Sequence, residues 1–171
     1  QTCALPIYFK YLGTTPIDYN FIVDKSTGTR VENNLCKFHL ETLLKQGKQR
    51  YGCVFNTDPH NKPGKHWISM FIDVPKKTIM YFDSANENYP EQIKQLVQTV
   101  MEQGKARGIE FKYYKNDITH QQGGSECGMY SIHFIVEMLE RPDYALKKFM
   151  HEVITDAEME KYRDVYFSDP E

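Results

Sequence analysis

The chain has 171 residues, enough for one domain with a real core, and its 21 Lys and Arg against 23 Asp and Glu leave a formal charge of −2. That balance argues against a basic nucleic-acid binder, and no apolar run is long enough to span a bilayer or reads as a secretory leader. The 4 cysteines, Cys3, Cys36, Cys53 and Cys127, lack paired spacing such as CxxC, which disfavours a zinc site or disulfide framework and fits a reducing compartment.

The opening QTCALPI reads back codon by codon as CAG-ACG-TGT-GCT-CTT-CCG-ATC, which resembles the end of a common sequencing-library adapter. The adapter's next base is T, which would begin the codon of Tyr8. We therefore expect residues 1–7, with Cys3, to be translated adapter, the natural N-terminus to be missing, and residues 8–171 to form one domain. KYLGTTPIDYNF has turn residues and little period, which predicts a loop or a short extended piece. In NNLCKFHLETLLKQGK, Leu35, Phe38, Leu43 and Leu44 fall at near-helical spacing, with Asn34 able to cap the start and Gly47 the end. RYGCVFN predicts a short buried strand, and NTDPHNKPG a loop. HWISMFIDV and TIMYFDS read as strands joined by the turn PKK. YPEQIKQLVQTVMEQGK is an amphipathic helix through Ile93, Leu96, Val97, Val100 and Met101, with Pro90 near its first turn. GIEFKYYKND predicts another strand. Helices follow near Cys127, near YALKKFMHEV, and in TDAEMEKYRDVYF, where Thr155 and Glu158 have capping-box spacing. The whole is one α+β domain.

Chemistry concentrates at THQQGGSECGMYSIHFIVEML. From Cys127 onward, Met129, Ile132, Ile135, Val136 and Leu139 have helical spacing, so Cys127 falls at a helix N-terminus. The first-turn amides there lack intrahelical partners and the macrodipole is positive, so a thiolate is favoured over a thiol. Gly123 and Gly124 allow close backbone approach upstream, and Gly128 leaves room beside the sulfur. A small buried hydrophobe is the ordinary role of a cysteine; the helix start, the glycines and the polar flank point instead to a nucleophile.

A thiolate nucleophile needs a base, and the base an orienting group. Of the 6 histidines, His39 lies on a predicted helix, His60 in the Pro-Gly loop, His133 on the far side of the Cys127 helix, His151 near a helix C-terminus and His120 in the lead-in to the cysteine. His66 opens an apolar strand, where packed neighbours hold it. If HWISMFIDV and TIMYFDS form an antiparallel hairpin, His66 and Asp83 sit at the same end of neighbouring strands, and Asp83 can hold one imidazole nitrogen while the other faces the thiol. Asp73 also ends a strand, but at the opposite end of the hairpin. An oxyanion donor completes the set, and HQQGGSEC offers two side-chain amides, Gln121 and Gln122, beside the Cys127 N–H.

The ordered motifs HW, YFDS and QQGGSECG resemble the ubiquitin-like-protein-specific cysteine proteases, which include the SUMO proteases and adenovirus-type proteases. The likeness is nearest to their relatives encoded by large DNA viruses, through TPIDYN, VFNTDPHNKPGKHW, MYFDS and HQQGGSECGMYS, and covers most of residues 9–168. The resemblance implies a papain-like cysteine protease fold, a central mixed sheet flanked by helices, with permuted His-Asp-Cys order. It makes His66 the base, Asp83 its orienting acid, Cys127 the nucleophile and Gln121, six residues before it, the oxyanion donor. Trp67 resembles the tryptophan that covers a narrow channel for a Gly-Gly tail. No metal or organic cofactor is implied.

Two departures stand out. The family's upstream tryptophan, the other wall of that channel, has no counterpart, since Trp67 is the 1 Trp in the chain, and Glu126 stands where the SUMO branch commonly has aspartate. The reading is a cysteine endopeptidase of viral type, cutting after small residues in Gly-Gly-X sites of virion precursors or ubiquitin-like conjugates, in host cytoplasm or virion, with neither membrane nor nucleic acid as partner. Two other classes compete. An acyltransferase would use the same triad with a coenzyme A donor, but no basic cofactor-binding region is visible. A non-catalytic binding module would not need an intact His66, Asp83, Gln121 and Cys127.

Overall fold

The strands RYGCVFN, WISMFID and TIMYF are buried along almost their whole length, not on alternate residues. Such runs belong to a sheet covered on both faces. The computed structural model describes residues 5–87 and 89–167. Residues 1–4, more than half of the stretch read as adapter, lie outside the described residues.

The central sheet has five strands: β1 (Phe9–Pro16), β4 (Arg50–Asn56), β5 (Trp67–Asp73), β6 (Thr78–Phe82) and β7 (Lys112–Lys115), in the spatial order β1-β4-β5-β6-β7. The outer pairs, β1 with β4 and β6 with β7, are parallel, and β4-β5-β6 is antiparallel. The sheet is therefore mixed. A second, two-stranded ribbon joins β2 (Ile22–Asp24) to β3 (Thr29–Arg30). The helices are α1 (Asn33–Cys36), α2 (Leu40–Lys45), α3 (Glu91–Lys105), α4 (Cys127–Glu140), α5 (Pro142–His151) and α6 (Asp156–Phe167).

Alternate residues of the middle strands feed two cores. Ile68, Met70, Ile72, Ile79 and Tyr81 pack under α1, α2 and α3, where Ile93, Leu96, Val97 and Val100 form the stripe predicted for α3. Phe71, Met80 and Phe82 point the other way, against Met129, Tyr130, Phe134 and Met138 of α4 and Phe149 of α5. At about 1.5–3 kcal/mol for each fully buried large side chain, these layers hold the sheet's position against the helices.

KYLGTTP takes the extended form of its two expected readings, within β1, an eight-residue strand that parallel pairing with β4 orders. Three local expectations change. The single helix expected from Asn34 to Gly47 is two, broken at residues 37–39, because His39 takes extended backbone and caps α2 by accepting the Thr42 N–H on Nδ1. The cap of α1 is Glu32, whose carboxylate accepts the Asn34 N–H at 2.7 Å. On α4, Ile132 is 36% exposed, whereas Tyr130 and Phe134 are fully buried. The helix is enclosed by the sheet, α5 and α6, so its buried arc is wider than the apolar stripe alone suggests. The β2–β3 ribbon carried no expectation. The capping box at α6 forms as read: the Thr155 N–H donates to Glu158 at 2.8 Å, and the Glu158 N–H to Thr155 Oγ1 at 3.3 Å.

The β5–β6 hairpin pairs Ser69 with Phe82 and Asp73 with Thr78. Its turn is closed by Asp73, which accepts the Lys76 N–H, and by the Lys77 N–H on the Val74 carbonyl. The start of β5 and the end of β6 thus meet at one edge of the sheet, where the N-terminus of α4 also arrives against β5.

Candidate active site

Cys127 is the first residue of α4. Its N-cap, Glu126, makes no side-chain hydrogen bond to the helix, so the first-turn amides are free for another acceptor. The Gly128 and Trp67 N–H groups both donate to the Cys127 sulfur. Burial opposes a thiolate here, but a hydrogen bond from His66, those two amides and the imidazolium charge outweigh it, and the thiol is held below its ordinary 9.0.

His66 lies immediately before β5, buried to 7% exposure. Its Nε2 is 2.6 Å from Asp83 Oδ1, which leaves Nδ1 for the hydrogen bond with Cys127. Burial disfavours the imidazolium, but the hydrogen bonds to Asp83 and Cys127 and their negative charges more than compensate, raising the pKa well above 6.5. Each group thus shifts the other toward its charged form, Cys127 toward thiolate and His66 toward imidazolium.

Asp83, buried just past β6, would be raised by burial, yet His66 and the backbone N–H groups of Glu87 and Ala85 hold it below 3.8. Its Oδ2 accepts the Glu87 N–H at 2.9 Å and its Oδ1 the Ala85 N–H at 3.0 Å. Asp73, the competing acid, is buried at the far end of the hairpin beside Arg50, 3.1 Å away.

Three residues that sequence reasoning passed over support this set. Asn116, fully buried after β7, accepts the Asp83 N–H at 2.9 Å and donates to the Asp83 carbonyl at 2.7 Å. Ser84 donates its hydroxyl to Gln121 Oε1 at 2.8 Å, while its carbonyl accepts the His120 and Gln121 N–H groups. Asp156, which opens α6, accepts the Gln122 and Gly123 N–H groups at 3.0 and 2.7 Å. The only signals in the sequence were a polar residue at a strand end, a serine beside Asp83 and an acid in a helix first turn. None is unusual alone.

Of the two amides, Gln121 faces Ser84 and, through Nε2, the Gly123 carbonyl at 2.6 Å. Gln122 contributes its backbone to Asp156. The remaining histidines serve elsewhere. His120 is fully buried, with Nε2 on the Phe149 carbonyl at 3.0 Å and Nδ1 accepting the Ile154 N–H at 3.1 Å. Both its nitrogens are therefore occupied, and burial lowers its pKa. His133 stacks on Tyr162 and bonds the Tyr166 hydroxyl at 2.7 Å. His60 pairs with Asp18 at 2.6 Å, fastening the PID segment to the loop that leads to His66. His151 is exposed at the end of α5.

Trp67 is half-buried beside Gly128 and walls a groove of about 190 Å³. The end of β1, Thr14 to Pro16, lines the same groove, with Asn56 and Gly64. Gly64 has φ +95°, and a Cβ there would lie 2.5 Å from Asn56 Nδ2, so the loop demands glycine at this point. Among the described residues no group of three or more His, Cys, Asp or Glu side chains converges to hold a metal, and no helix is long and apolar enough to cross a membrane.

Residues 54–170 match the Ulp1 protease family, C-terminal catalytic domain. A thiol protease of Acanthamoeba polyphaga mimivirus is 27% identical over 93% of this chain and 50% of its own length. The SUMO-1 cysteine protease S273R of African swine fever virus (isolate Warthog/Namibia/Wart80/1980) is 32% identical over 73% of this chain and 46% of its own. The chain thus spans about half the length of these curated relatives. A crystal structure of the African swine fever virus pS273R protease superposes with a TM-score of 0.75 at 25% identity, covering 92% of this chain and 59% of that one.

Proposed function

The chain belongs to the Ulp1 protease family, C-terminal catalytic domain, and from that premise we propose that it is a cysteine endopeptidase acting through Cys127, His66, Asp83 and Gln121 on Gly-Gly-X sites. The observation that carries the reading is the buried contact of Asp83 Oδ1 with His66, 2.6 Å away, beside a thiol held below its ordinary pKa at a helix start.

The thiolate attacks the scissile carbonyl carbon, forming the C–S bond and an oxyanion. The Cys127 N–H and the Gln121 amide stabilise that charge. His66, carrying its proton on the nitrogen that faces the sulfur, passes it to the departing amine as the C–N bond breaks. Water then attacks the thioester, His66 takes its proton, and the thiolate leaves with the acid product. Asp83 keeps the imidazole oriented and the imidazolium stabilised throughout.

Groove shape supports small residues before the cut. Trp67 and Thr14 to Pro16 line one groove of about 190 Å³, and a backbone with hydrogen in place of Cβ needs the least room beside the indole. A protein tail ending Gly-Gly-X fits it, from a viral precursor or a ubiquitin-like conjugate in host cytoplasm or virion. The name of the African swine fever virus relative, a SUMO-1 cysteine protease, supports the second substrate class. The test is cleavage of Gly-Gly-X and Ala-Ala-X peptides and of SUMO and ubiquitin fusions, read by mass spectrometry. Equal rates on Gly-Gly-X and Ala-Ala-X would end the specificity claim, and a Cys127→Ala variant that still cuts would end the mechanism.

A further inference from the structure

Gln121 carries a primary amide with two N–H donors and a carbonyl acceptor, and its neighbours decide which way it faces. Ser84 donates to Oε1 at 2.8 Å, and Nε2 donates to the Gly123 carbonyl at 2.6 Å. Those two contacts fix the amide plane and its flip. They commit one N–H and leave the other uncommitted.

Gly123 is itself anchored from outside the loop, through the N–H of its preceding peptide. Asp156 Oδ2 accepts the Gly123 N–H at 2.7 Å and the Gln122 N–H at 3.0 Å, from the first turn of α6. A Cβ at Gly123 would stand 3.3 Å from that same oxygen, so glycine is what admits the carboxylate. On its other oxygen, Asp156 lies 3.0 Å from the Tyr130 hydroxyl, which also reaches the Ile154 carbonyl at 2.8 Å. Tyr130 is one turn past Cys127 on the buried side of α4. Asp156 therefore bridges the loop that carries Gln121 and the helix that carries Cys127.

We propose that Asp156 is a positioning residue for the oxyanion donor: by anchoring the loop through the Gln122 and Gly123 N–H groups it fixes where the Gly123 carbonyl stands, and so aims the Gln121 amide at the reaction centre. The proposal rests on the reading of Gln121 as that donor. The two loop contacts are exposed hydrogen bonds, and Tyr130 keeps the Ile154 carbonyl when Asp156 is truncated, so the fold tolerates the change.

The experiment is a double-mutant cycle on the full chain with a fluorogenic Gly-Gly-X peptide, with iodoacetamide labelling of Cys127 measured in parallel. Asp156→Ala should lower kcat by about 10–100-fold, a part of the loss expected for the donor itself. KM should stay within about twofold, as for an interaction made only in the transition state. Labelling by iodoacetamide, which builds no oxyanion, should keep its wild-type rate. In a Gln121→Ala background the same change should cost almost nothing further. Asp156→Glu, which restores a carboxylate, should recover part of kcat. If Asp156→Ala fails to fold, Asp156→Asn, which keeps an oxygen acceptor, is carried through the same cycle. Equal kcat losses with and without Gln121, or slowed labelling, would overturn the proposal. Wild-type kcat in Gln121→Ala would instead remove the donor reading, and that variant leaves Asp156 untouched, so the two failures are distinguishable.

Discussion

His66 and Asp83 hang from the facing ends of β5 and β6, whose ladder and two cores fix their separation. Gln121 and Cys127 come from a loop without regular structure and from the first residue of a helix. The first pair is locked by buried contacts of Asn116 on the Asp83 backbone and by two part-buried amides on its carboxylate. The second pair is aimed by exposed or half-buried contacts, Ser84 and Asp156 on the loop and Arg163 on Glu126 at 2.7 Å. Acid and base thus belong to the rigid body of the domain. Gln121 and Cys127 depend in addition on contacts from α6, far along the chain.

The sharpest way to break that division is to remove the nucleophile and the base separately. Cys127→Ala and His66→Ala should each lower kcat by on the order of 10⁵–10⁶, with the double mutant little worse than either, because the pair acts as a unit. Additive losses in steady-state kinetics would separate them. Gln121→Ala should cost roughly 10²–10³ in kcat with Cys127 labelling unchanged. If Gln122→Ala has that effect instead, the register of the loop is off by one residue.

Asn116→Ala tests the buried half. It strips hydrogen bonds from the Asp83 N–H and carbonyl inside the protein, so it should destabilise the fold by about 1–3 kcal/mol per group left unpaired. Asp156→Ala, whose loop contacts are exposed and whose contact with Tyr130 is part-buried, should lower the melting temperature less. Reversal of that order in thermal unfolding would contradict the division into rigid and adjustable halves.

The ionic pair gives a pH signature. Cys127 is held below 9.0 and His66 above 6.5, so the pH window of the charged pair is widened from both sides. The iodoacetamide rate follows the thiolate fraction, and its midpoint should therefore lie below pH 9.0 in the wild type. In His66→Ala the thiolate loses a hydrogen bond and a positive neighbour, so the midpoint must move to higher pH. A midpoint that stays put would mean that the helix start alone sets the thiol. The smallest effect is expected at Thr155→Ala, where loss of the capping box should cost about 1 kcal/mol in chemical denaturation and leave turnover near wild type.

The helix-start position of Cys127, the pairing of His66 with Asp83 and the mixed α and β content were legible in the residues. Each depends on short-range pattern: an apolar period that starts at a thiol, two strands joined by a tight turn, and an acid at the correct end of one of them. Spacing and chain polarity alone carry that information, because hydrogen-bond ladders and helix ends are local objects. The length of β1 was not legible, since its order comes from a parallel partner more than thirty residues away, with Phe9 beside Arg50. Nor was the break at His39, which depends on one imidazole finding a helix amide. Asn116, Ser84 and Asp156 are ordinary polar residues in sequence. They gain meaning only when folding brings a strand end, a turn and the last helix to within 3 Å of the groups they hold. The tertiary structure alone decides that, because a hydrogen bond is defined by distance in space and leaves no period along the chain.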